Sequence, residues 1–249
     1  MRTPLAFLFL FMAVQIARSE DLSVAAAADL TYCIPVIDAA FEQANPGADV
    51  KVSFGSSGNF FQQIQNGAPF DVFLSADIQY PQKLAAAGLV ETPVKYAEGR
   101  IVLWTMNDSL DLTKGLVALR DPAVKHIAVA NPDHAPYGRT AKAALTHEGL
   151  WEELTPKFVY GENIAQTAQF VQTGNAEAGF VAMSLVAAPA LAHKGHFYEI
   201  PEVDYPPIDQ AAALTKAGSA KPLAQAYVAF LKSAAARKIL GQYGFRLPK

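Results

Sequence analysis

Two adjacent hydroxyls, Ser56 and Ser57, stand between glycines in "FGSSGNFFQQIQNG", directly before a segment with helical spacing. Three other helix starts open the same way, on small or polar residues: "AAAADLTY" around Asp29, "NPDHAPYGRTAKAAL" around Tyr137 and "YGENIAQTAQ" around Ile164. The first N–H groups of a helix have no intrahelical acceptor, and the helix dipole adds partial positive charge there. Such a terminus can hold an anion without any cationic side chain. Asp29, Ser57 and Asn163 are also common capping residues, and capping alone would account for each of them taken singly. Four ends together favour the anion reading, because caps alone do not require flanks as small and charge-poor as residues 25–28 and 55–58.

Four helix starts can converge only if strands and helices alternate along the chain. The runs "DLSVAAAA", "DVKVSFG", "FDVFLSA", "GRIVLWT", "HIAVANP", "AGFVAMS" and "HFYEIP" are short, apolar and rich in Val, Ile and Phe, and read as strands. Between them "LTYCIPVIDAAFEQANPG", "NFFQQIQNG", "IQYPQKLAAAGL", "GRTAKAALTHEGLWEEL", "NIAQTAQFVQTGNA" and "SAKPLAQAYVAFLKSAAARKILGQYG" carry helical periodicity. Fully apolar strands in this alternation predict an α/β fold of mixed, mainly parallel sheets flanked by helices on both faces. Residues 105–125 and 201–218 break the rhythm, as they would in a chain that leaves one lobe, builds a second and returns. The expected division is residues 20–103 and 208–249 for lobe one and 104–207 for lobe two. A ligand then belongs in the cleft between the lobes, beyond the carboxyl ends of strands.

The chain has 249 residues, and its first 19 carry an early Arg2, an apolar run and small residues at Ala17 and Ser19. That pattern predicts a secretory signal peptide over residues 1–19, cleaved before Glu20, and an exported protein. The apolar run is too short for a stable membrane span. Cys33 is the only cysteine, so no internal disulfide is available, and it reads as a buried small hydrophobe. A net charge of -3 and a pI near 5.9, with no basic stripe, argue against a nucleic-acid partner. Any anion must therefore be held mostly by neutral groups.

The ordered set "AAA-x-L", "G-S-S-G", "G-A-P-x-D-x-F-x-S-A-D", "P-x-x-x-P-x-G" and "Y-G-F" resembles the periplasmic molybdate-binding proteins, the solute receptors of molybdate ABC importers. The similarity runs through essentially the whole chain after residue 19. It implies a type II two-lobe periplasmic-binding-protein fold, closing on a molybdate or tungstate dianion held by hydroxyl and backbone N–H donors. It also implies a membrane permease as partner and no cofactor, and the receptor is expected to act as a monomer. By resemblance, Ser57 matches a ligand serine, Tyr137 falls where a backbone N–H is offered and a phenol could add a donor, and Ile164 matches an apolar residue giving its N–H. Asp29 departs from the serine common in the family. Its carboxylate would repel a dianion, so it is expected to turn into the helix as an N-cap and to offer only its N–H, with Ala28 adjacent. Ala182 is a second departure, at a position where some members place a tyrosine.

Other chemistries find less support. "GSSGN" approaches G-x-S-x-G, but Asn59 replaces the second glycine and no His/Asp relay presents itself, which leaves a serine-type hydrolase as a distant alternative. The five histidines form no cation-ligand set beyond His193 and His196, which read as a surface turn. Asp71 and Asp77 could pass for paired carboxylates, yet at a strand end they are expected to bond backbone donors and hold the hinge. Arg139, near the cleft by position, reads as solvated or paired. Receptors for sulfate, phosphate or another tetrahedral oxyanion remain open alternatives, as does a sensor or adhesion domain with the same cleft.

Overall fold

The computed structural model describes residues 20–248; the segment read as a signal peptide lies outside them. Ten strands are formed: β1 (Glu20–Ala27), β2 (Ala48–Gly55), β3 (Val72–Ser75), β4 (Val94–Gly99), β5 (Ile101–Thr105), β6 (Ile127–Ala130), β7 (Phe158–Gly161), β8 (Ala178–Ala182), β9 (His196–Glu199) and β10 (Ile208–Leu214). The helices are α1 (Ile34–Ala44), α2 (Ser57–Gln65), α3 (Gln79–Ala86), α4 (Pro136–His147), α5 (Trp151–Leu154), α6 (Ile164–Gln172), α7 (Met183–Val186), α8 (Lys216–Ser219), α9 (Pro222–Phe230) and α10 (Ala234–Gln242).

The strands sort into two five-stranded sheets, in the orders β2-β1-β3-β10-β4 and β7-β6-β8-β5-β9. Each sheet repeats one plan. Two parallel pairings join its first three strands, and the fourth strand runs antiparallel to both neighbours. In both cases that opposing strand has just arrived from the other lobe: β5 from β4, and β10 from β9. This is the type II two-lobe architecture, and the mixed, mainly parallel character follows from its topology. The first crossover is a single residue, Arg100. Residues 101–103, assigned by sequence to lobe one, therefore lie in the second sheet, because β5 pairs along its length with β8 and β9. The second crossover covers residues 200–207, and α9 and α10 close back on the first sheet.

Each lobe has its own apolar core. Leu22, Val24, Ile34, Ile37, Phe41 and Leu240 pack on one face of the first sheet, and Phe60, Ile64, Phe73 and Leu84 on the other. Cys33 is wholly buried in the first of these, and burial raises its thiol well above the ordinary range, so it behaves as the small hydrophobe expected. Trp104 fills the second lobe, its indole N–H donating to the Lys194 carbonyl at 2.9 Å. The second lobe's cluster also includes Ala27, Ala28, Ala76 and Ile208 of the first, so apolar contact runs unbroken across the cleft.

Where α1 meets α9, Phe41 and Tyr227 pack edge to face with centroids 5.1 Å apart, and Tyr227 donates to Asp38 Oδ1 at 2.6 Å. Burial lifts the Asp38 carboxyl to about 7; the Tyr227 bond pulls the other way and Glu42 adds to the rise. A carboxyl harder to ionise when folded binds more protons in the native state. Its stabilisation is thus full below about pH 4 and is lost as pH rises through 7. Asp38→Asn keeps an acceptor for Tyr227 and deletes the charge. Calorimetric scans are expected to find its midpoint roughly 5 °C above that of the parent protein at pH 8 and level with it near pH 4.

Candidate functional site

The ends of four turns meet between the sheets. Each of β1, β2 and β6 delivers its carboxyl end to the cleft: β1 runs straight into a 3-10 turn, β2 into α2, and β6 reaches α4 through residues 131–135, while α6 follows β7 after two residues. Around the meeting point lies a small cavity of about 10 Å³, lined by Ala27, Ala28, Asp29, Gly55, Ser56, Ser57, Ala76, Ala135, Pro136, Tyr137, Asn163 and Ile164. All four residues singled out by sequence, Asp29, Ser57, Tyr137 and Ile164, are in this set. No Lys, Arg or His lines it.

The two serines divide the work. Ser56 is the N-cap of α2, its Oγ accepting from the Asn59 N–H at 3.3 Å. Ser57 is therefore not a cap; it is the first helical residue, and its Oγ accepts the Ala76 N–H at 2.9 Å. With a lone pair so engaged, the hydroxyl proton of this wholly buried residue is left to donate. On the opposite wall, Asn163 caps α6 by accepting from the N–H groups of Ala165 and Gln166, both at 3.0 Å. That leaves Ile164 at the first position with its N–H uncommitted. In α4 the first position is Pro136, which has no N–H to leave unsatisfied, and Tyr137 follows. Among the described residues no group accepts from the backbone N–H of Ser57, Tyr137 or Ile164.

Asp29 does not behave as expected. It is the second residue of a short 3-10 turn, Ala28–Leu30, whose N-cap position is held by Ala27 without a side-chain bond. From there its carboxylate points away from the turn, into the interior. Oδ2 accepts from the Tyr137 hydroxyl at 3.0 Å and from Gln210 Nε2 at 2.7 Å, while Oδ1 is buried with no hydrogen-bond partner. Burial raises this carboxyl to about 6, against the lowering effect of the Tyr137 and Gln210 bonds and its own N–H. The Tyr137 phenol is thereby engaged with Asp29 rather than free for a ligand, which removes it as a substitute hydroxyl. Burial together with Asp29 pushes Tyr137 far above the ordinary tyrosine range, so it stays a donor. Gly99 completes the cluster, because a Cβ there would collide with the Tyr137 hydroxyl oxygen. Ala182 is buried and offers no side-chain donor; two residues on, Ser184 Oγ donates to the Asp29 carbonyl at 2.7 Å.

Several of these bonds join one lobe to the other and hold the cleft shut. Besides the Tyr137 and Ser184 bonds to Asp29, the Gly58 N–H donates to the His134 carbonyl at 2.9 Å. At the rim, Arg139 Nη1 donates to the Tyr80 hydroxyl at 2.8 Å, its guanidinium carbon lies 5.0 Å from the Tyr80 ring centroid, and Nη2 pairs with Asp77. Arg139 is thus paired, as read from the sequence, and its partners belong to the other lobe. Asp77 and Asp71 stand at opposite ends of β3 and form no carboxylate pair. Asp71 is not at the hinge: its Oδ2 accepts from the Ser23 N–H at 2.9 Å and from Lys221 Nζ at 2.8 Å, tying the amino ends of β1 and β3 to the start of α9. Sequence reasoning missed Gln210, Ser184, Ala76 and Gly58, which act only through partners distant in the chain. The small residues at Ala76 and Gly58 were the visible trace of close approach.

Two mixed sheets joined by two crossovers, with a buried donor-lined cavity at the seam, define a two-lobe solute receptor. The chain belongs to the bacterial extracellular solute-binding protein family, whose profile matches residues 22–246. It is similar to the molybdate-binding protein ModA of Azotobacter vinelandii, with 41% identity over 233 residues, 93% of this chain and 92% of the relative. To the molybdate-binding protein ModA of Rhodobacter capsulatus the identity is 38% over 231 residues, 92% of this chain and 89% of the relative. Among solved structures, the periplasmic molybdate-binding protein of Azotobacter vinelandii superposes with a TM-score of 0.87 at 33% identity, over 92% of this chain and 100% of that one. No helix among the described residues is long and apolar enough to cross a membrane.

Proposed function

We propose that this chain is a periplasmic receptor that binds molybdate, and with it tungstate, in the interlobe cavity and delivers the ion to an ABC importer. One observation carries the reading. The N-terminal turns of α2, α4 and α6, with the Ser57 hydroxyl, bring uncommitted donors to a buried cavity that no cationic side chain lines. Hydrogen bonds to a charged acceptor are short and strong, and a water-poor cavity strengthens them further, so a ring of neutral donors suffices for a dianion. The ligand-binding positions are the backbone N–H groups of Asp29, Tyr137 and Ile164 and the N–H and hydroxyl of Ser57. Relatives named for molybdate, aligned over about nine-tenths of both chains, support the choice of ion. Two rigid lobes fix the spacing of the ring, so a smaller tetrahedral ion such as sulfate leaves donors unsatisfied at closure.

Thermal unfolding at matched ionic strength tests this. A ligand present at about a thousand times its dissociation constant adds roughly 4 kcal/mol, which for a chain of this size is a rise of something like 10 °C. That rise is expected with molybdate and tungstate and not with sulfate, phosphate or chloride. Equal shifts with sulfate or phosphate would move the assignment to another oxyanion, and no shift with any of them would remove it.

A further inference from the structure

Asp29 is the one acidic residue among those lining the oxyanion cavity, and its side chain is almost fully buried. Its two oxygens differ sharply. Oδ2 takes two hydrogen bonds from neutral donors, Tyr137 and Gln210, and the Gln210 amide is in turn held by the Tyr96 hydroxyl, 3.3 Å from its Oε1. Oδ1 takes none. A lone carboxylate oxygen without a donor is costly in an apolar interior, and beside a bound dianion it is repulsive as well. A carboxylic acid reverses both effects, because the proton on Oδ1 turns the unpartnered acceptor into a donor.

Resting on the oxyanion reading above, we infer that Asp29 is a binding residue in its own right: the closed, loaded cleft holds it as the neutral acid, which donates its Oδ1 proton in a hydrogen bond to the oxyanion. The balance is simple. One proton from solvent joins the Asp29 carboxylate as the dianion enters, no covalent bond to the ion is formed, and the proton returns to solvent on release. The carboxyl of the shut cleft, raised by burial to about 6, already lies closer to neutrality than an ordinary aspartate, and an adjacent dianion raises it further.

No charged group nearby opposes this. The titratable side chains facing Asp29 are Tyr137 from α4, Tyr96 from β4 and Cys33 ahead of α1, all raised by burial and all neutral at working pH. The packed helices α6 and α7 carry no charged residue. The only charges of β2, Asp49 and Lys51, pair with each other at the strand's other end.

The test is calorimetric titration of the purified protein with sodium molybdate, in two amine buffers of different ionisation enthalpy, from pH 5.5 to 8. The expected result at pH 7.5 is uptake of about one proton per ion bound, with affinity dropping by up to about tenfold per pH unit above 6.5. Asp29→Asn supplies an amide donor that cannot titrate and keeps an acceptor for Tyr137 and Gln210. It is expected to bind with no proton uptake and a flat pH profile. Molybdate binding by the parent protein with no uptake and no pH dependence overturns the inference and leaves the oxyanion reading standing, whether or not the variant folds. Absence of binding at every pH in both proteins overturns the oxyanion reading and the inference with it.

Discussion

Gly58→Ala is expected to weaken molybdate binding by about 10²- to 10³-fold without weakening the fold. Gly58 sits in the first turn of α2, and its N–H donates across the cleft to the His134 carbonyl. A Cβ there would lie 2.5 Å from that oxygen and 2.8 Å from the His134 Cα and Cβ, which is too close to be absorbed without separating the two segments. The contact exists only between lobes, so the collision falls on the closed form. Overpacking costs about 1–3 kcal/mol and the lost hydrogen bond about 1 more. Apparent affinity falls by the factor through which the binding-competent form is depopulated. In the ligand-free protein the same change puts alanine into a helix in place of glycine, which is neutral to stabilising. Opposite signs in a binding titration and in unfolding without ligand would identify a closure defect; equal losses in both would mean the site is not built by closure at this point.

The adjacent serines give the second large contrast. Ser57→Ala removes a hydroxyl whose oxygen is fixed by the Ala76 N–H and whose proton is left for the ion. A hydrogen bond to a charged acceptor contributes about 1.5–3 kcal/mol, so a loss of roughly 10- to 100-fold in affinity is expected by titration. The orphaned Ala76 N–H adds about 1 kcal/mol of instability in the shut protein. Ser56→Ala removes only the cap of α2, about 1 kcal/mol of stability, with the dissociation constant expected within about threefold of the parent value. If Ser56 rather than Ser57 carried the affinity, the division of cap and donor between the two residues would be reversed.

Much of this was legible before any coordinate. β6, and β1 from Val24 onward, are apolar because both faces of their sheets are covered, and that signal needs only local sequence. The helix starts were equally visible, since small residues at Gly55, Ser57 and Ala135 mark places where the backbone must approach something closely. What stayed hidden depends on partners far away in the chain. β10 was read as part of an irregular stretch because its alanines carry little β-propensity; it is a strand because β3 and β4 flank it. β4 was missed because Lys95 and Glu98 interrupt it, and β7 because it is only four residues long. Asp29 was misjudged as a cap because Asp before a helix usually is one, and nothing local announces that Tyr137 and Gln210, 108 and 181 residues on, will claim its carboxylate. The same limit hid the partners of the clasp across the rim: Arg139 reads as solvated or paired near the cleft, but nothing local shows that Asp77 and Tyr80 of the other lobe will pair with it.

We propose that neutral donors at the seam of two lobes hold a molybdate-sized dianion. This is tested most directly by titrating the protein calorimetrically with molybdate, first alone and then with sulfate in large excess at constant ionic strength. One site per chain, submicromolar affinity and little displacement by sulfate are expected, because the smaller ion cannot satisfy the ring when the lobes shut. Sulfate that displaces molybdate at comparable concentration, or molybdate that binds only weakly and with a strong dependence on salt, would contradict it.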